Sequence, residues 1–299
     1  DNGTWSQVEY EGKTCYAASA YLTTEKPAET AAASGQDGQA GASAAASRNA
    51  GEVGLNMDWK YASMSKINSG QAVLYRSEAA SRKNKVVCVN AGHGTKGGSS
   101  VKTQCHPDGT PKVTSGTTSA GATTAVAVSG GMTFADGTSE AKVTLAMAKV
   151  LKDKLLARGY DVLMIRENDD VQLDNVARTV LANNMADCHI ALHWDSTKSN
   201  KGAFYMSVPN VASYRAMEPV ASHWQQHNAL GESLVAGLKN AGVKIFSGGS
   251  MEMDLTQTSY STVPSIDIEL GDGGSDHSAA TLDKLGTGLA DGVDAYFGK

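Results

Sequence analysis

The chain has 299 residues, 41% hydrophobic and 19% charged, enough to bury one large core with something small beside it. Its 26 Lys and Arg against 31 Asp and Glu leave a net charge of −5, which excludes a generic nucleic-acid binder held by a basic surface. No apolar run approaches the roughly 20 residues that cross a bilayer, so no membrane span is expected, and residues 1–30 lack the basic start and apolar centre of a signal peptide. The sequence opens within what reads as a small β unit, as a fragment or a mature chain would.

Residues 4–22, TWSQVEYEGKTCYAASAYL, alternate apolar and polar positions around Glu11-Gly12, with Val8, Tyr10, Tyr16 and Tyr21 as packing residues. This predicts a hairpin, and its pattern resembles the C-terminal half of bacterial SH3-like modules that bind cell walls. Cys15 stands where that family usually has glycine. Residues 1–23 are therefore read as part of such a module. Residues 24–52 are alanine, glycine, serine and a few charges, too poor in apolar surface to order a chain, and read as a linker.

From residue 53 strand and helix signals alternate. Strands are expected at 86–89, 162–165, 188–192, 204–208 and 265–270, and helices at 140–157, 173–185, 220–240 and 279–297. Strands separated by helices of this length imply an α/β fold, a largely parallel twisted sheet with helices on both faces, beside the small N-terminal β remnant. The domain is placed at 53–299, with residues 53–84 packing on it as an extension. Between His93 and Glu140 lies a Gly-, Ser- and Thr-rich stretch, an insertion at about 97–138. A structureless loop that long is improbable inside a domain, so it is expected to carry small strands of its own and to wall an active site.

The four cysteines, Cys15, Cys88, Cys105 and Cys188, have no CxxC spacing, which argues against a zinc knuckle. Cys88 and Cys188 fall in strand patterns, where cysteine acts as a small hydrophobe, so free thiols are expected.

In open parallel sheets ligands bind beyond the carboxyl ends of the strands. Three expected strands end on a residue able to bind a metal or a proton: His93 between two glycines, His193 in CHIALH, and Glu269 in SIDIEL. Glu140 starts the helix returning from the insertion and faces the same rim. Two imidazoles and a carboxylate, with a fourth position left to water, suit a catalytic zinc on His93, Glu140 and His193. The competing reading of Glu140 is a first-turn carboxylate in a helix capped by Ser139.

At this point several motifs, in order over residues 85–297, resemble the zinc-dependent N-acetylmuramoyl-L-alanine amidases: AGHG at 91–94, SEAK at 139–142, GYDV at 159–162 before Ile165-Arg166, Arg178 with Ala182-Asn183 and Ala186-Asp187, ALHWDS at 191–196 and VPSIDIELG at 263–271. The resemblance implies hydrolysis of the amide between N-acetylmuramic acid and L-alanine of the peptidoglycan stem peptide, outside the membrane or in the wall of a bacterium. It maps the zinc ligands onto His93, Glu140 and His193 and the catalytic glutamate onto Glu269. The departures are Ala191 and Asp195, where the family has serine and asparagine, and Asp267, where it is apolar. Asp195 is read as an imidazole acceptor or as added negative charge, and Asp267, on the face of Glu269, as raising that pair's pKa by like-charge repulsion. Two other readings stay open: a weakly active or autoinhibited wall-binding protein on the same scaffold, and a zinc peptidase acting within the stem peptide.

The remaining candidates are read as structural. His223 and His227 lie four apart on one helix face without the glutamate of H-E-x-x-H, and are taken as a solvated face, as are His189, His106 and His277. Arg166 and Arg178 are expected to pair with carboxylates such as Asp169, Asp170 or Asp187. The oligomeric state is not legible.

Overall fold

The computed structural model describes residues 50–298, together with the backbone of two N-terminal strands. These strands, β1 (Trp5–Tyr10) and β2 (Lys13–Ala18), pair antiparallel with Tyr10 opposite Lys13, the register expected of the hairpin. They belong to a separate compact unit, Asp1–Ser43. The packing roles of Val8, Tyr10, Tyr16 and Tyr21, the state of Cys15 and the linker at 24–49 lie outside the described residues.

The second unit, Ala44–Lys299, is built on one eight-stranded sheet. In chain order it runs through β3 (Ala50–Gly54), β4 (Gln71–Tyr75), β5 (Val86–Ala91), the insertion strands β6 (Lys102–Gln104) and β7 (Thr124–Val126), and α1 (Glu140–Ala157). There follow β8 (Asp161–Met164), α2 (Asn175–Met185), β9 (Cys188–Asp195), β10 (Ala203–Ser207), α3 (Ala212–Arg215) and α4 (Val220–Asn240). The chain closes with β11 (Ile245–Glu252), α5 (Thr256–Tyr260), β12 (Ser265–Asp272) and α6 (Ala279–Phe297).

The strand order is β11-β10-β12-β9-β5-β8-β4-β3. The central four, β12, β9, β5 and β8, are parallel, whereas β10 runs antiparallel to β12 and both β4 and β3 run antiparallel to their neighbours. The sheet is therefore parallel where it is buried and mixed towards its edges, where hairpin-type pairing needs no crossover helix. Residues 50–52, inside the stretch read as linker, belong to β3, which pairs with β4.

Strand alternation divides the core between the two faces. Val87, Val89, Ile190, Leu192, Ile266 and Ile268 pack under α1, α4 and α6, and Cys88, Leu163 and Ile165 pack under α2. The helices expected at 140–157, 220–240 and 279–297 appear with those bounds. Helix α2 starts later than its apolar pattern suggests because Asp174 caps it, accepting from the Ala177 N–H at 2.8 Å. Strand β11 escapes sequence reading: IFSGGSME lacks any strand pattern, and it is extended by parallel pairing with β10 at the sheet edge.

Cys88, Cys105 and Cys188 are free and buried. The histidines correct the sequence reading. His189, His106 and His227 are core residues with at most 2% of their surface exposed, while His223 and His277 are partly exposed. His227 turns inward because its Nδ1 accepts the Ser265 N–H at 2.9 Å.

Candidate metal centre and active site

Strand β8 pairs with one side of β5 and β9 with the other, so the connections after β5 and β9 diverge and leave a crevice at their carboxyl ends. His93 follows β5 and His193 lies near the end of β9. Glu140 is the first residue of α1. Its carboxylate turns away from its own helix, and Ser139 makes no side-chain cap. Glu140 Oε1 lies 2.9 Å from His93 Nε2 and 3.1 Å from His193 Nδ1, and these two nitrogens are 3.1 Å apart. The imidazoles meet edge to face, their centroids 4.7 Å apart.

The supports come from distant parts of the chain. His93 Nδ1 lies 2.9 Å from the Ser129 carbonyl oxygen, an acceptor that leaves the Nε2 lone pair facing the cluster. Glu140 accepts from the backbone N–H groups of Met132, at 2.8 Å, and Trp194, at 3.0 Å. Ser129 and Met132 belong to the insertion, which carries the small antiparallel pair β6 and β7 and lines one side of a cavity of about 540 Å³ over the cluster. The insertion has the small strands expected of it and walls this cavity.

Glycines permit this crowding. A Cβ on Gly92 would lie 2.3 Å from His193 Cε1, and one on Gly131 would lie 2.8 Å from His93 Cδ2. The sharp turn is taken by His93 itself, whose φ is +63°, followed by Gly94 at +73°. Gly92 serves the close approach of His193 rather than the turn. Sequence reasoning gave Gly92 only a general role and missed Gly131, whose neighbours are set by tertiary contact.

The face shared by His193 and Asp195 on β9 continues onto β12, where Glu269 stands opposite His193 and Asp267 opposite Ala191. Glu269 Oε2 is buried without a hydrogen-bond partner. Burial and the neighbouring Asp267 push the Glu269 carboxyl well above its usual range, as expected of like-charge repulsion, whereas Asp267 is raised by burial and by Glu140. Burial alone would lower the pKa of His193, but Asp267, Glu140 and Glu269 outweigh it and raise it to about 10. Burial would lift Glu140, yet hydrogen bonds from His193 and His93 hold it well below the usual carboxylate range. The cluster is therefore a buried, electron-rich pocket.

The donor set is of a kind that could hold a metal ion. His93, Glu140 and His193 offer two nitrogens and an oxygen, all within 4.8 Å of one another, and they line the cavity.

Asp195 is not an imidazole acceptor, because its carboxylate is taken by the ammonium group of Lys201, but its negative charge still adds to the rise at Glu269. The arginines also depart from expectation. Arg178 donates to the His93 carbonyl at 2.6 Å, to Ala91 and Leu173 carbonyls and to Thr95 Oγ1, and Arg166 donates to the carbonyls of Ala91, Gly92 and Ala141. They brace the backbone around His93, while Asp187 pairs with Lys85.

The sequence profile described as N-acetylmuramoyl-L-alanine amidase matches residues 87–284, well over half of the chain. The protein belongs to that family of enzymes, the amidases of peptidoglycan. No curated protein sequence gives a significant match. Among solved structures, the N-acetylmuramyl-L-alanine amidase Ami1 from Mycobacterium smegmatis superposes with a TM-score of 0.58 at 16% identity, over 72% of this chain and 97% of that one. Ami1 from Mycobacterium abscessus gives 0.55 at 19% identity, over 71% and 98% of the two chains. The amidase AmiC2 of Nostoc punctiforme gives 0.51 at 15%, over 73% and 100%. At these identities the likeness is one of fold.

Proposed function

We propose that the chain is a zinc-dependent amidase that cleaves the bond between N-acetylmuramic acid and the L-alanine of the stem peptide, with His93, Glu140 and His193 as metal ligands and Glu269 as the catalytic acid and base. The observation that carries it is the convergence of two imidazoles and a carboxylate at the carboxyl ends of parallel strands, with an unpartnered glutamate one strand away in register with His193.

Zinc in that position supplies Lewis acidity to the amide carbonyl and to a water beside it. The protein's own groups do the rest. Glu269, ionised, takes a proton from the attacking water and returns it to the amide nitrogen as the alanine amine departs. Its raised pKa makes it a stronger base than an exposed glutamate. Ser129 and the Met132 N–H hold His93 and Glu140 in place, and the insertion and the strand ends line the cavity that would receive the amide.

The domain from Ala50 onward is read as the catalytic domain, joined by the linker to part of an SH3-like wall-binding module at residues 1–23. The substrate places the enzyme outside the membrane or in the wall of a bacterium, and no helix among the described residues is long and apolar enough to cross a membrane.

Digestion of purified peptidoglycan by the zinc-loaded protein, with products identified by mass spectrometry, tests the reading. Stem peptides beginning at alanine are expected from the wild type. Glu269→Ala should lose about 10²–10⁴-fold in rate while still binding zinc. Products cut within the stem peptide would replace the amidase by a peptidase, and intact polymer from zinc-loaded wild type would leave a binding protein.

A further inference from the structure

The two ring nitrogens of His193 face different chemistry. Nδ1 lies inside the donor cluster, 3.1 Å from Glu140 Oε1. Nε2 points away from it, 3.7 Å from Asp267 Oδ2 on the neighbouring strand. Asp267 therefore stands behind the ring and does not share an ion with Nδ1.

Strand register explains how it comes to be there. Asp267 is opposite Ala191 and Glu269 opposite His193, and alternation puts all four on one face of the sheet. Ala191 contributes only a methyl group, so β9 itself supplies nothing to hold the far nitrogen of His193. The opposite face of β12 carries the core residues Ile266 and Ile268, and packing does not call for an acid at 267. Asp267 is 16% exposed at its side chain, and its Oδ1 is buried without a hydrogen-bond partner. A carboxylate kept in such a place needs an interaction that offsets its desolvation. The other acids around it are occupied differently: Glu140 in the cluster, Asp195 on Lys201, and Glu269 with a free oxygen in the cavity.

We propose that Asp267 is a positioning residue of the metal centre: its carboxylate, at ion-pair distance from His193 Nε2, favours by its charge the tautomer protonated there, whose Nδ1 lone pair faces His93 and Glu140, and strengthens that nitrogen as a donor. The proposal rests on the zinc reading given above. It gives the two histidines corresponding supports, since the Ser129 carbonyl stands behind His93 Nδ1 as the Asp267 carboxylate stands behind His193 Nε2. The second support carries a full charge and acts on the ligand of β9.

The test is zinc affinity, measured by competition with a chromophoric chelator, for the wild type, Asp267→Ala, Asp267→Asn and His193→Ala, with folding of each followed by circular dichroism. Asp267→Ala should bind zinc about 10–100-fold more weakly. Asp267→Asn, which keeps an acceptor but no charge, should fall between. In nitrogen-proton correlation spectra of the zinc-loaded protein, where a ligating Nδ1 leaves His193 protonated at Nε2 in every variant, the Nε2–H should resonate further downfield and exchange more slowly with water in the wild type than in Asp267→Ala, a difference that a purely structural role would not produce. Wild-type affinity in Asp267→Ala, or in Asp267→Asn if the alanine variant does not fold, overturns the proposal while leaving the zinc site standing. Failure of the wild type to bind zinc, or undiminished binding by His193→Ala, overturns the zinc reading and this proposal with it.

Discussion

Gly92 has no side chain because His193 occupies the space where one would be. An alanine there would put its Cβ 2.3 Å from the imidazole, closer than any nonbonded contact, and the obstacle is the ring that supplies a donor atom. Gly92→Ala should therefore weaken zinc binding beyond the ~10–100-fold typical of residues that only support a ligand. Isothermal titration of the metal-free variant checks this, and unchanged affinity would mean that β5 and β9 separate more easily than the packing suggests. At this scale the sequence was informative about His93, Glu140, His193 and Glu269, because each sits where a strand ends or a helix begins. It was silent on Gly131, Ser129 and Met132, which meet the cluster from the insertion. It misjudged Arg166 and Arg178, whose donors find carbonyls that only the folded turn after β5 presents.

The insertion is held as an element by one carboxylate that no motif announced. Asp254, between β11 and α5, is fully buried and lies 2.5 Å from Lys112 Nζ and 3.3 Å from His106 Nε2. It also accepts the Val113 N–H and the Thr114 hydroxyl. Burial would raise Asp254, but hydrogen bonds from His106 and Lys112 outweigh it, so the acid stays charged. Removing it leaves the Lys112 ammonium buried without its counter-ion. Asp254→Ala is expected to cost about 3–5 kcal/mol in urea unfolding. It should also open residues 97–138 to limited proteolysis and lower amidase activity, since Ser129 and Met132 lose their fixed positions. Resistance of that segment in the folded variant would show that β6 and β7 anchor it without Asp254. The elements themselves divide by burial. Helices α1, α4 and α6 carry apolar stripes that the sequence displays, whereas β11 is a strand only because β10 offers it hydrogen bonds.

Across the whole molecule, the buried histidines set how the fold responds to acid. Burial, with Arg178 adding to it, lowers the pKa of His189 to about 3, and burial, with His223 and His189, lowers that of His227 to about 3. Unfolded histidine titrates near 6.5. Above that pH both states are neutral and the pair has no effect; between about 6.5 and 3 the unfolded chain binds protons that the folded one refuses. Stability should thus fall by about 1.4 kcal/mol per pH unit for each histidine as the pH drops through this window. Urea midpoints from pH 7 to 4 measure the slope, and His227→Gln, which keeps an acceptor for the Ser265 N–H, should flatten it. An unchanged slope in that variant would assign the acid response to other groups. The sequence by itself determined the α/β class and the order of the central elements, and it singled out the four residues proposed for the site, because strand and helix periodicity and the ends of elements are local properties of the chain. The tertiary structure alone decided which face each histidine takes, which partner neutralises each buried charge and how the insertion closes over the cluster, because those depend on strand register and on contacts between residues far apart in the chain.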